Sequence, residues 1–463
     1  MAGVAIIERP PRALARYLQH RASDHDARIV AATEWFAAAL VAADRGEIGG
    51  AHRPGLHVGA QPEPWPVSGD HRSKAVPVAS EAQAAQAIAQ ARPGDVITFE
   101  PGTYRFADAN IAITNPGKAD APIVVRARQP GSVVLEMGVS EGFVVSAPYW
   151  TFDNLTIRGV CTQDADCEHA FHVVGGATNF VARNNTLVDF NAHIKVNGQD
   201  RRFPDHGMVR GNTITNTHVR RTDKPVTPID IVAASGWTIH GNLITDFIKA
   251  SGDRVSYGAF AKGGGADNRF ERNVVLCEYL LRGAPGQRVG LSLGGGGSGG
   301  DAGRSYCRGG ACIPEQSGGL VESNLIASCS DEGIYINRGA TSRVVHNTLL
   351  DTGGIMVRFA ESGVEVEGNL VDGAILGRDD ALLHAGDNLQ TGLISLYLGR
   401  HPQRAWFRDV SALDLAWHTQ APRLRSIATT ASADLCGSKR PLLPAYGAFE
   451  DFAACIAPTG AKP

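Results

Sequence analysis

The sequence predicts an all-β chain wound as a single-stranded parallel β-helix, and two observations carry that reading. The first is a short phrase, an Asn followed by a block of Leu, Ile, Val and Thr. It recurs as Asn154-Leu-Thr-Ile, Asn185-Thr-Leu-Val, Asn212-Thr-Ile-Thr, Asn242-Leu-Ile-Thr, Asn273-Val-Val-Leu, Asn324-Leu-Ile-Ala, Asn347-Thr-Leu-Leu and Asn369-Leu-Val-Asp. Short β-branched runs repeating at 22 to 51 residues, with no helical stretch between copies, mark a stack of strands. In such a stack an Asn at one bend can bond its amide to the next Asn and to backbone inside the turn. Buried amides need partners of that kind, so these asparagines belong to the fold rather than to chemistry. The second observation is a further strand in each repeat, aligned on an inward apolar pair: Phe171/Val173, Ile194/Val196, Ile229/Ile231, Ala259/Ala261, Leu291/Leu293, Ile334/Ile336 and Ile355/Val357.

The elements follow in order. Residues 1–76 read as an N-terminal helical extension, one amphipathic helix from about Pro11 to Asp44, followed by a Pro/Gly/His-rich linker. Ser80 caps a short Ala-rich helix reaching about Ala91, placed to close the open end of the solenoid. The strand Val96-Ile-Thr-Phe, the turn Pro101-Gly102 and the strand Pro122-Ile-Val-Val-Arg then start the β-helix, assigned to residues 77–375. From 376 to 463 the period is lost, and Cys436 and Cys455 close an irregular tail that would cover the far end.

A solenoid grows by adding rungs, so 463 residues need not divide into globular domains. The net charge of −3 gives no sign of a nucleic-acid or membrane-surface partner, and no apolar run reaches the ~18 residues of a membrane span. The eight cysteines suggest Cys161–Cys167, Cys307–Cys312 and Cys436–Cys455 by proximity, with Cys277 and Cys329 near equivalent bends two rungs apart and their pairing left open. No spacing resembles a zinc knuckle and no acidic cluster resembles a calcium cage, so no metal is expected. Short disulfide loops imply an oxidising compartment, the periplasm or the exterior, although no signal peptide is evident: the apolar stretch 29–43 is interrupted by Glu34. Gly294 to Gly303 lacks a Lys-Ser/Thr ending and reads as a long loop walling a groove, not a phosphate loop.

Residues between the inward pairs must point outward on one sheet. The middle column is His172, Lys195, Asp230, Phe260, Ser292, Tyr335, Met356, and the next is Val174, Asn197, Val232, Lys262, Gly294, Asn337, Arg358. Gly258, Gly290, Gly333 and Gly354 precede them and would open a trough. This concentration of His, Lys, Asp, Tyr, Asn and Arg suits an extended polar ligand, and the excess of cations suits a polyanion. Lys262, ahead of three glycines, is the candidate base. Arg338 and Arg358 can grip a carboxylate bidentately, and Tyr335 can protonate a leaving oxygen. Asn337, Lys195, Asp230, His172, His193 and Arg288 complete the candidate substrate-binding set, with Lys195 and Asp230 also able to pair with each other.

The opening Ala85-Gln-Ala-Ile-Ala-Gln-Ala-Arg-Pro-Gly-Asp-Val-Ile-Thr-Phe-Glu-Pro-Gly-Thr-Tyr, with Ala121-Pro-Ile-Val-Val-Arg-Ala and the Asn rungs, resembles the chondroitinase-B/alginate lyase family over roughly residues 77 to 375. The resemblance implies a right-handed β-helix that cleaves uronic-acid polysaccharides by β-elimination. It implies a lysine base, an assisting arginine and, in many members, calcium at the carboxylate. Lys262 matches the family's lysine. Gly294 stands where its arginine belongs, and Val255 and Tyr257 stand where acidic calcium ligands belong. The reading is therefore a lyase acting on an acidic polysaccharide, with Arg288, Arg338 or Arg358 in the arginine's role. The alternatives are a non-catalytic carbohydrate-binding or adhesion solenoid, and a glycoside hydrolase or C5-epimerase on the same fold; the sequence does not indicate the oligomeric state.

Overall fold

The computed structural model describes residues 9–46, 56–63, 74–295, 304, 313–425 and 433–456. Cys307, Cys312 and most of the glycine-rich loop lie outside these residues. Three long parallel sheets of 12, 11 and 10 strands run the length of a right-handed solenoid. A rung passes from the first sheet, through an Asn bend, to the second and then to the third, as in Val181–Arg183, Thr186–Val188 and Ile194–Asn197. The inward pairs read from the sequence all lie at 0% exposure in one continuous core.

The Asn bend is a hydrogen-bonded ladder. The ladder runs from Asn185 to Asn388: at Asn212, Asn242, Asn273, Asn324, Asn347, Asn369 and Asn388 each Oδ1 accepts from both the backbone N–H and the Nδ2 of the Asn one rung earlier, at 2.8 to 3.0 Å. Each Nδ2 also donates to a backbone carbonyl, for example Asn212 to Ala182 O at 2.9 Å. Asn154 is one residue out of register. Strand pairing sets Asp153 beside Arg183 and Thr156 beside Thr186, so Leu155 occupies the ladder position and its N–H donates to Asn185 Oδ1 at 3.0 Å. The ladder also runs one rung further than the sequence period indicated. Strands Leu382–Ala385 and Leu389–Gln390 extend the first two sheets past residue 376, and Asn388 carries the repeat with a weaker flanking phrase.

The N-terminal extension is two helices, Pro11–Ala22 and Ala27–Arg45, not one. Ser23 Oγ turns back to the His20 carbonyl and Asp26 caps the second helix by accepting from Arg28 N–H, so the polar Ser-Asp-His-Asp segment competes for backbone groups and breaks the helix. This helical arm docks on the bends between the second and third sheets. Arg12 is buried with Asp44 at 2.9 Å and donates to the Cys329 carbonyl at 2.7 Å, while Arg45 holds Asp351 at 2.8 Å and Arg16 pairs with Asp331. The short helix Glu81–Ala89, capped by Ser80, buries Ala84 and Ile88 in the first rungs.

The C-terminal tail lies along the side of the solenoid, in place of the expected end cover. Phe407, Leu415, Leu424, Phe449 and Phe452 pack on Leu243, Val274, Leu276, Leu325, Leu350 and Leu370 of the second sheet. Part of the linker joins it: His57 N–H donates to the Cys455 carbonyl and Gly59 N–H to Gly241 O. Disulfides join Cys161 to Cys167, Cys277 to Cys329 and Cys436 to Cys455. Cys277 and Cys329 each follow a second-sheet strand, on adjacent rungs.

Asn273 sits mid-ladder, fully buried, bonded to Asn242, Asn324 and the Ile239 carbonyl. Asn273→Ala would strand several buried groups at roughly 1–3 kcal/mol each. It is expected to lower the urea midpoint far more than Asn388→Ala at the partly exposed end of the ladder.

Candidate active-site trough

The third sheet carries the outward columns in the register read from the sequence. His172 pairs with Lys195, Lys195 with Asp230, Asp230 with Phe260, Phe260 with Ser292, Ser292 with Tyr335 and Tyr335 with Met356. The neighbouring column sets Val232 beside Lys262, Gly294 beside Asn337, Asn337 beside Arg358 and Arg358 beside Arg378. Outward does not mean exposed: Asp230, Phe260, Ser292 and Met356 are buried by what lies over the sheet.

The glycine stripe has a different role from the one expected. A Cβ at Gly258 would meet Val275 Cγ1 at 2.9 Å, one at Gly290 would meet Ile326 Cγ2 at 2.6 Å, and one at Gly333 would meet Leu349 Cδ2 at 2.7 Å. These glycines face the interior and admit side chains of the second sheet. The trough is built instead by the helical arm and the loops beside the third sheet.

Two clusters of candidate side chains result. The first gathers Lys195, Asp230 and Lys262 on adjacent strands. Lys195 Nζ lies 2.8 Å from Asp230 Oδ2, so Asp230 holds Lys195 rather than a ligand. Lys262 Nζ sits 4.4 Å from the centre of the Phe260 ring and makes no ion pair among the described residues. Burial holds its ammonium below the ordinary lysine value, with Lys195 acting the same way and Asp230 and Glu315 opposing. Arg304, which the sequence reading did not single out, packs over Phe203 at 4.0 Å and donates to the Ala233 carbonyl at 2.7 Å.

The second cluster lies two strands on, roughly 10 Å along the sheet. Asn337 Nδ2 donates to Tyr335 Oη at 3.3 Å, and Arg338 and Arg358 cover the Phe359 ring at 4.4 and 4.7 Å. Arg358 pairs with Asp379, while Arg338 Nε is 3.8 Å from Glu361. The helical arm roofs this end. A cavity of about 350 Å³ is lined by Arg9, Arg16, Tyr17, Tyr335, Arg358 and Arg378, with Tyr257 and Glu332 at its inner side. Burial raises the Tyr335 hydroxyl despite Arg358 and keeps it a donor; burial, with Asp331 beside it, raises Glu332 well above the usual carboxylate range. Arg378 was legible as the next member of the Arg358 column. Arg9 was not, because nothing local in the sequence brings the arm to this sheet.

Two candidates leave the substrate-binding set. His193 is fully buried, with Nε2 3.1 Å from the Thr215 carbonyl, and burial lowers it to about 3, so it is a neutral turn residue. Arg288 is buried at the start of its strand, bonded to Glu278 at 2.7 Å and to the Ala284 and Pro285 carbonyls, and cannot replace an arginine in the trough. His172 remains at the first rungs, beside Asn197 and Glu141.

Among the described residues no calcium cage surrounds Lys262. Asp230 is committed to Lys195, Glu315 Oε2 accepts from Gly263 N–H at 2.9 Å, and among the described residues no set of three ligands is grouped there. Nor can an arginine stand at 294. Gly294 has φ +82°, and a Cβ would lie 1.9 Å from the Asn337 carbonyl oxygen. Gly294→Arg is expected to destabilise by more than about 3 kcal/mol without adding a trough cation, read as a lowered denaturation midpoint.

Residues 78–147 match the family described as Chondroitinase B, and residues 301–388 match the right-handed β-helix region family. A comparison with curated proteins returned no match. Among solved structures the chain is similar to pectate lyase Pel9A, with TM-score 0.54 and 16% identity over 79% of this chain and 90% of that one. It also aligns with an alginate lyase from Paenibacillus sp. str. FPU-7, with TM-score 0.39 and 13% identity over 68% of this chain and 99% of that one. The pectate lyase likeness bears on the fold, and the alginate lyase alignment is too loose to carry an argument. The chain is a right-handed parallel β-helix protein whose opening rungs resemble Chondroitinase B.

Proposed function

We propose that the chain is a polysaccharide lyase that cleaves a uronic-acid-containing polymer by β-elimination, with Lys262 as the base. The observation that carries this reading is Lys262 itself: shielded, without an ion pair among the described residues, and held below the ordinary lysine value beside a second cation, Lys195. A neutral amine at the floor of a cationic trough can take the proton α to a carboxylate. The electron pair left on that carbon spreads into the carboxylate as an enolate, whose charge Lys195 would offset on turning from Asp230 to the substrate. It then forms the C4–C5 double bond as the C4–O bond breaks, and the Lys262 ammonium returns the proton to the departing oxygen.

Arg338, Arg358, Asn337 and Tyr335 are two to three strands away, beyond reach of the same sugar carboxylate without a large movement. They therefore serve neighbouring sugar units, with Arg358 and Arg378 meeting further carboxylates. No calcium enters the proposed step, since among the described residues no set of three ligands is grouped around Lys262. The disulfides support residence in the periplasm or outside the cell.

Digestion of a panel of alginate, pectate, chondroitin, dermatan and glucuronan is expected to give the ultraviolet absorbance of an unsaturated uronate. Lys262→Ala should remove roughly 10²–10⁴-fold of kcat. Tyr335→Phe should raise KM with little change in kcat; loss of kcat instead would make Tyr335 the acid. Reducing ends without unsaturation would indicate a hydrolase, C5 inversion in an intact polymer an epimerase, and binding without product an adhesion solenoid. Because the base acts unprotonated, kcat/KM should rise with pH through a value below 10.5, and Lys262→Ala should abolish that limb.

A further inference from the structure

We infer that Glu141, His169 and His172 form a zinc site at the first rungs of the trough, distinct from the Lys262 cluster. One ligand atom from each of the three lies within 4.8 Å of the others. The strand His169–Val174 is three pairings from the strand of Lys262, roughly 14 Å along the sheet, so the two sites do not share side chains.

A local irregularity creates the cluster. In a regular strand, residues three apart point to opposite faces. Here Ala170 and Phe171 N–H both donate to the His193 carbonyl, and Glu168 and His169 N–H both donate to the Ser140 carbonyl. This bulge turns His169 onto the face of His172, with ring centroids 5.1 Å apart, and register pairs His169 with Glu141.

The partners of the two rings fix which nitrogens are available. His169 Nδ1 lies 2.9 Å from the Ala192 carbonyl, which only accepts, so Nδ1 carries the hydrogen and the lone pair is on Nε2. His172 Nε2 lies 2.7 Å from Asn197 Oδ1, and Asn197 Nδ2 is turned away to donate to the Gly198 carbonyl at 3.0 Å. Nε2 of His172 therefore carries a hydrogen, and in the neutral ring the Nδ1 lone pair faces Glu141. Nδ1 is shielded from solvent and makes no aligned hydrogen bond, although Glu141 Oε1 is only 2.7 Å away. A lone pair and a carboxylate oxygen at that distance repel unless a proton or a cation lies between them.

Two imidazoles and one carboxylate, each imidazole braced by an oxygen acceptor on its other nitrogen, is the donor set and outer shell of a zinc site with an open fourth position. Calcium prefers six to eight oxygens and would gain little from the two nitrogens. Glu141 and His172 side chains are 32% and 19% exposed, which leaves the fourth position on the solvent side of the trough.

The test uses the full chain stripped with a chelator, then titrated with zinc by calorimetry and with cobalt by visible absorption. One equivalent of zinc and the intense d–d bands of four-coordinate cobalt are expected. His172→Ala and His169→Ala should abolish both, and Asn197→Ala should weaken zinc roughly 10–100-fold. Circular dichroism and thermal melting establish that each variant is folded. Glu141→Gln, near-isosteric and partly exposed, should also weaken zinc and decides the matter if a histidine variant fails to fold. No zinc uptake, uptake unchanged in Glu141→Gln and His172→Ala, or six-coordinate cobalt bands would each overturn the site.

Discussion

The asparagine ladder is the constraint on which the rest of the structure depends. Each ladder amide accepts two hydrogen bonds from the rung before it and donates to a carbonyl and to the rung after it, so these buried amides are satisfied only when rungs stack in one register. A one-residue slip would turn core side chains outward and leave the amides without partners. That register brings Lys195, Asp230 and Lys262 onto adjacent strands, and Asn337, Arg358 and Arg378 into one column. Residues scattered over nearly two hundred positions become neighbours because an amide some distance away fixes the stack.

Much of this was legible in the sequence because the ladder and the inward apolar pairs are local patterns with a fixed offset. The errors arose where an element departs from the local rule. Asn154 carries the right phrase, yet it is Leu155 that stands in the ladder, and only pairing with the next rung reveals this. Gly258, Gly290 and Gly333 read as gaps in an outer face, but each instead receives a side chain from another sheet, a contact invisible in one strand. His193 and Arg288 are polar residues close to the trough in sequence that face carbonyls and Glu278 in the turns. His169 was missed for the opposite reason: strict alternation hides it from His172, and the bulge that joins them leaves no mark in the residue types.

The helical arm is tied to the solenoid by ions more than by apolar packing. Arg12 and Arg45 meet Asp44, Asp351 and Glu278, and Arg404 and His401 hold Asp372 nearby. Removing one partner from such a buried set leaves an uncompensated charge, which disfavours alternative docked positions even where the net stabilisation of each pair is modest. The arm's inner surface places Arg9, Arg16 and Tyr17 over Tyr335 and Arg358, so the trough at this end has two walls contributed by distant parts of the chain.

The spacing of the charged groups constrains what the trough can hold. Lys195 and Lys262 lie about 10 Å or more from the arginines at 358 and 378, with the compulsory glycine at 294 and the buried Ser292 between them. A small anion could satisfy one cluster and leave the other in water, gaining nothing from their alignment. A ligand with regularly placed negative charges, lying across the strands, engages both without bending. Under the proposed lyase reading, binding strength drawn from the arginine end would help fix one carboxylate against Lys262, since contacts remote from the reacting bond can offset the cost of orienting it. The separation of the two clusters suits an extended polyanion better than a monosaccharide, and under that reading the arginines would serve length discrimination and Lys262 the chemistry.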